Sequence, residues 1–179
     1  MNKDAHDYSF SDMYAMGNEH HWKVCTVCGV TDASNFVFAE VEGGYSIKQN
    51  GMPSFTTTVV LPEYYEAANG DRPITEIVYA GFEGNASLTE IVLPDGLTTI
   101  DYHAFTRCTS LTGITIPDSV TYLGVGAFYG CSAMQYINMD TDGEWVYEYD
   151  HDVPLEELDD PVNLLRLFTV FSTGPWVKL

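Results

Sequence analysis

Between Leu88 and Ala133 the pattern of apolar and polar positions runs through one cycle and then begins again. LTEIVLPDGLTTIDYHAFTRCTS is followed at once by LTGITIPDSVTYLGVGAFYGCSA, so that Leu88/Leu111, Ile91/Ile114, Leu93/Ile116, Pro94/Pro117, Leu97/Val120, Ile100/Leu123, Ala104/Ala127, Phe105/Phe128 and Cys108/Cys131 recur at an offset of 23 residues. One such unit has no means of burying its own apolar face and must stack on a neighbour. The pattern therefore predicts a β-rich repeat solenoid.

The period extends in both directions. Phe82 and Ile77 lie 23 residues before Phe105 and Ile100. In this earlier unit the strand TTVVLP (57–62) is set back by a nine-residue insertion within EYYEAANGDRP. MQYINM (134–139) repeats the strand once more, and then the pattern stops. Period-2 alternation points Val59, Leu61, Ile91, Leu93, Ile114, Ile116, Ile137 and Met139 inward. Thr58, Val60, Glu90, Val92, Gly113, Thr115, Tyr136 and Asn138 then face outward as columns on one face of a parallel sheet. Phe82, Phe105 and Phe128 are expected to stack as an aromatic spine.

The motif L-x-x-I-x-[LI]-P, [LV]-x-x-[IL], A-F-x-x-C resembles the BspA-type leucine-rich repeats of bacterial surface proteins, over about residues 36–139. The units lack the Asn/Cys ladder position of the general leucine-rich pattern. The resemblance implies a short right-handed coil with a parallel sheet on one face and an exported, non-catalytic protein engaged in adhesion.

The flanks read as caps. FVFAEV, Glu42-Gly43-Gly44 and YSIKQ form a hairpin that covers the first repeat, the glycines supplying the positive φ of a tight turn. After Met139, over residues 140–179, GEWVYEY reads as a strand. PLEELDDPVNLLRLF holds a short amphipathic helix with Leu164, Leu165, Leu167 and Phe168 inward, Asp160 as cap and Pro161 in the first turn. PWVKL is a closing strand, completing a strand-helix-strand cap. The insertion reads as an acidic loop carrying Tyr64 and Tyr65, either as exposed recognition residues or as rings half-packed on their own scaffold.

Charge narrows the choice of partner. The formal net charge is −19, with seven Lys and Arg, which argues against nucleic acid and anionic membrane surfaces. No run of eighteen apolar residues suits a bilayer span. MNKDAHDYSF is not a signal peptide, so an extracellular or cell-surface location is what the resemblance implies, for a chain expected to be a mature or trimmed piece of an exported protein.

Residues 1–35 differ in composition and contain HHWKVCTVCGV. In C-x-x-C-G two thiolates converge on one point, an arrangement that holds Zn²⁺. Cys25, Cys28, His21 and His6 are the candidate ligands, with His20 as substitute for either histidine. The stretch resembles a zinc-ribbon-like module, without that pattern's later histidine: Asn35 and Phe36 stand there. A Cys25–Cys28 disulfide is an alternative in an oxidising compartment. A redox pair would need a βαβ setting that is absent. Bound zinc in the purified protein, with and without Cys25→Ser, separates these readings. Even the zinc version is structural, because four protein ligands leave no open position. Cys108 and Cys131 fall at one repeat position. They read as buried free thiols, with a disulfide between neighbouring units sterically open, and Asn85 at the same place shows that sulfur is not required there.

Catalysis finds little support. With 26 acidic residues some carboxylates must adjoin, so Glu156/Glu157 and Asp159/Asp160 carry no weight as acid–base pairs. His103 and His151 have no serine or cysteine at a motif spacing, and no phosphate loop, nucleophile elbow or H-E-x-x-H occurs. The expected function is a non-enzymatic interaction or adhesion module, monomeric, binding protein or glycan through Thr58, Val60, Glu90, Val92, Thr115, Tyr136 and Asn138 together with Tyr64 and Tyr65. The alternative is a spacer or presenting stalk of a larger exported protein.

Overall fold

A computed structural model describes residues 36–50, 58–67, 70–139, 145–147 and 176–178. The zinc candidates Cys25, Cys28, His21, His6 and His20, the C-terminal helix and His151 lie outside the described residues. Twelve strands are described: β1 (Phe36–Val41), β2 (Gly44–Gln49), β3 (Thr58–Val60), β4 (Tyr64–Ala67), β5 (Gly70–Ile77), β6 (Glu90–Val92), β7 (Thr99–Ile100), β8 (Gly113–Thr115), β9 (Tyr122–Leu123), β10 (Tyr136–Asn138), β11 (Trp145–Tyr147) and β12 (Trp176–Lys178).

Equivalent residues of successive repeats pair side by side. β3 pairs β6 in parallel with Thr58 opposite Glu90, and β8 pairs β10 in parallel with Gly113 opposite Tyr136. The first register spans the nine-residue insertion, so the repeat phase survives it. The insertion itself is a β-hairpin, β4 against β5 with Tyr64 opposite Pro73, where a loop was expected.

Two further features differ from the sequence expectation. The expected four-strand platform is divided into two parallel pairs, β3–β6 and β10–β8. A Thr112 N–H to Thr89 carbonyl bond of 3.1 Å joins them at one end. Parallel pairing is also not confined to one face: β2, β5, β7 and β9 form a second parallel ladder through the other half of each repeat. Antiparallel β1 closes one end of that ladder, and β12 followed by β11 closes the other.

The core lies between the two sets of strands. Val59, Leu61, Ile91, Leu93, Ile114, Ile116 and Ile137 are buried as the alternation requires, and Met139 is packed against them. Phe82, Phe105 and Phe128 are fully buried and stacked, with ring centroids 5.3 and 5.5 Å apart and interplanar angles of 13° and 3°. Phe36 of β1 meets the open end of this spine edge-on at 6.2 Å. Burial of that ring gives the N-terminal hairpin its purpose, since an uncovered Phe82 would leave apolar surface in water.

Polar groups inside the core are matched between repeats. The Phe82 N–H donates to Ala104 O and the Phe105 N–H to Ala127 O, each at 2.7 Å. Cys108 and Cys131 are free thiols, and they donate to the carbonyls of Phe82 and Phe105 at 3.1 and 3.0 Å. The neighbouring Cys131 thiol, and then burial, push the Cys108 thiol far above its ordinary pKa, which leaves it inert as a nucleophile. Asn85 keeps the turn by another route, its Oδ1 accepting the Leu88 N–H at 3.1 Å.

The turn beneath the spine places two residues per repeat in the left-handed region. Ala80, His103 and Gly126 (φ 54°, 58° and 64°) form one column; Gly84, Arg107 and Gly130 (φ 72°, 59° and 75°) form the other. Geometry dictated by stacking is thus imposed on side chains that disfavour it, at about 1–2 kcal/mol per residue. Arg107→Gly is expected to stabilise the protein by about 0.5–1 kcal/mol net of the added freedom of the unfolded chain. A rise in the urea midpoint checks this, and a fall would mean that Arg107 makes a compensating contact.

The hairpin glycines divide their work. Gly43 alone has positive φ, at 84°. Gly44 is needed for room, because a Cβ there would collide with the Pro73 carbonyl oxygen of β5 and come within 2.8 Å of Thr75 Cγ2.

Candidate functional site

The outward face of β6, β8 and β10 carries a shallow depression of about 300 Å³. It lies over the seam where the platform divides. Its lining comes from β6 (Glu90, Ile91, Val92), from β8 (Gly113, Ile114, Thr115) and from Tyr136 of β10, with Leu93, Asp95 and Pro117 from the segments beyond β6 and β8. Gly113 is the residue that shapes it. A Cβ at this position would collide with the Tyr136 ring, so the glycine lets that ring lie directly over β8. The ring buries Gly113 and still presents 48% of its own area to solvent, beside Val92 at 46%.

Sequence reasoning assembled most of this surface. Glu90, Val92, Thr115 and Tyr136 are brought together in the depression. Thr58 and Val60 lie half-buried on β3, opposite Glu90 and Val92, and Asn138 donates to Thr115 Oγ1 at 3.5 Å. Tyr64 and Tyr65 stand apart from it on the β4–β5 hairpin. Tyr64 is exposed, whereas Tyr65 stacks on Phe38 at 4.4 Å and tilts against Tyr45 at 4.7 Å, which ties the insertion to the N-terminal hairpin. Asp95 and Pro117 were missed as lining residues. Their signal was the recurring Pro-Asp at the end of each repeat strand, where chain reversal brings the turn beside the outward face.

The electrostatics of the depression are one-sided. Among the described residues its carboxylates are Glu90 and Asp95, and the Glu63 carboxylate accepts the Asp95 N–H at 3.2 and 3.4 Å, setting a third carboxylate beside it. Among the described side chains the Lys and Arg residues are Lys48, Arg72 and Arg107, and none lines it. Arg72 is held by Glu40 at 2.6 Å.

Two other groups bear on chemistry. His103 Nδ1 lies 3.0 Å from Thr106 Oγ1, and the buried Thr106 hydroxyl donates to Gly126 O at 2.7 Å. A hydroxyl has one proton, so His103 must donate to Thr106 through Nδ1–H, leaving the lone pair of its neutral form on Nε2. Among the described residues, the hydroxyl this histidine holds is therefore already engaged in structure. On the other ladder, burial and then the Asp101 carboxylate hold Glu76 above its ordinary 4.5. The folded state binds that proton more tightly than the unfolded chain. This group's stabilising contribution is therefore present below pH 4.5 and lost as pH rises through the folded pKa. Glu76→Gln is expected to raise the thermal midpoint at pH 7 and to leave it nearly unchanged at pH 4. An equal gain at both would assign the effect to something other than titration. Among the described residues no group of three His, Cys, Asp or Glu is placed to hold a metal ion, and no helix is long and apolar enough to cross a membrane.

Residues 73–151 match the BspA type leucine rich repeat region in 6 copies. No curated protein matches the chain. Among solved structures it is similar to a leucine-rich repeat protein from Bacteroides capillosus ATCC 29799, at 22% identity over 59% of this chain and 94% of that one, with a TM-score of 0.44. It is also similar to the T. pallidum leucine rich repeat protein, at 23% identity, 60% and 70% coverage and a TM-score of 0.36. A leucine-rich repeat protein from Bacteroides ovatus ATCC 8483 matches at 18% identity, 59% and 41% coverage and a TM-score of 0.35.

Proposed function

We propose that this chain is a short leucine-rich-repeat solenoid serving as a non-catalytic interaction module at the cell surface or outside the cell. It binds a protein or glycan partner through the outward face of β3, β6, β8 and β10. Leucine-rich-repeat proteins generally mediate protein interactions, and residues 73–151 match repeats of this type. The observation that carries the reading is the half-exposed pair Val92 and Tyr136, the Tyr136 ring lying over Gly113. It places apolar and aromatic surface in water on a strand face that also carries Thr58, Glu90, Thr115 and Asn138, and aromatic residues are enriched at interfaces.

The experiment is affinity capture against surface proteins and a glycan array, with the native chain and with Val92→Lys, Thr115→Lys and Tyr136→Lys. These positions are exposed, so folding is expected to be retained. Loss of a captured partner supports the assignment. A partner retained by all three variants places the contact elsewhere, and a chain with no partner of any kind favours the spacer role.

A further inference from the structure

The depression over β6 and β8 combines two chemistries that few ligands satisfy together. Val92, Pro117 and the Tyr136 ring offer apolar and aromatic surface, while among the described residues the lining's side chains that carry charge at neutral pH are the carboxylates of Glu90 and Asp95. An anionic group would meet only like charge there. A neutral apolar group would strip water from two carboxylates and return nothing to them. A lysine or arginine side chain answers both demands, because its methylene stem packs on apolar surface while its charged head stays beside carboxylates and against a ring face.

Resting on the interaction-module reading, we propose that this depression is the pocket for a Lys or Arg side chain presented by an extended basic segment of a partner protein, its stem along Val92 and Tyr136 and its head between Glu90 and Asp95. Each part has a stated origin. Gly113 admits the ring over β8. The turn after β6 carries Asp95, and the Glu63 carboxylate holds the backbone of that turn at Asp95. The formal net charge of −19 adds long-range attraction for a basic partner, which speeds encounter over the whole surface; the depression adds selectivity at one place.

The test uses the full chain and a fluorescein-labelled octapeptide of alternating lysine with glycine or valine, alongside its lysine-acetylated counterpart and a neutral glycan array. Tyr136→Ala and the pair Glu90→Gln/Asp95→Asn are each expected to weaken the lysine peptide about tenfold or more. The control pair Glu42→Gln/Glu83→Gln removes the same charge at exposed positions outside the depression and is expected to change affinity less than about threefold. The acetylated peptide is expected not to bind. Equal losses for the two charge-removing pairs would reduce the attraction to net charge and overturn the proposal, as would equal binding of the acetylated peptide. Binding only of a glycan, abolished by Tyr136→Lys, would overturn this pocket and leave the interaction module standing. No ligand sensitive to the strand face would overturn both.

Discussion

Phe105→Ala should cost about 3–5 kcal/mol of folding stability, a large share of the roughly 5–15 kcal/mol a domain holds. Phe105 is fully buried, with Phe82 at 5.3 Å on one side and Phe128 at 5.5 Å on the other, so its removal strips contact from both neighbours. The space has no easy way to close. Backbone bonds of 2.7 Å from Phe82 to Ala104 and from Phe105 to Ala127 hold the repeats at their spacing. In a linear array each unit is stabilised by the adjoining ones, so loss of the central ring also separates the two ends. Urea unfolding followed by far-ultraviolet circular dichroism should show a much lower midpoint and a broader transition. Phe105→Leu, which retains most of the volume, should lose less than half as much. A cost for alanine below about 1 kcal/mol would show that the three rings are not one column.

Gly44→Ala adds a single methyl group and is expected to cost about 1–3 kcal/mol. The added carbon would meet the backbone oxygen of Pro73, which moves only if β2 separates from β5 where Tyr45 pairs with Ile74. Damage should therefore concentrate in the N-terminal cap: amide exchange should quicken across β1 and β2 before it does in β7 and β9. Gly96→Ala is the control. Its Cβ would find Pro73 Cβ at 3.7 Å, an ordinary contact, and its effect should stay within about 0.5 kcal/mol. Equal effects from the two substitutions would mean that the hairpin does not press on β5.

The strand columns were legible because a two-residue period and a 23-residue period agree: every residue assigned inward along β3, β6, β8 and β10 is buried or packed on the core. The second ladder was not legible. β7 and β9 are two residues long, too short for alternation to show, and their pairing follows from the repeat spacing rather than from any pattern of their own. The left-handed positions were hidden for a related reason. Gly126 signals one, but His103 and Ala80 are made to follow it by the repeats on which they stack. Tyr64 and Tyr65 could not be told apart in sequence, and the position of Phe38 decides that Tyr65 stacks on it while Tyr64 is exposed.

At the candidate site the same division holds. Glu90, Val92, Thr115 and Tyr136 were named by parity alone, since a strand residue one place from a core residue faces the other way. Parity did not reveal that Gly113 would receive the Tyr136 ring, nor that Asp95 would join Glu90 around it, because both depend on how repeats sit beside one another.

By itself the sequence determined the repeat, its phase across the insertion, the phenylalanine column and the outward residues. All of these follow from periodicity, which stacking turns directly into position. The tertiary structure decided the division of the platform, the second ladder and the acidic, aromatic depression at the seam. These arise from contacts between units, where a missing Cβ in one repeat sets the place of a ring in the next.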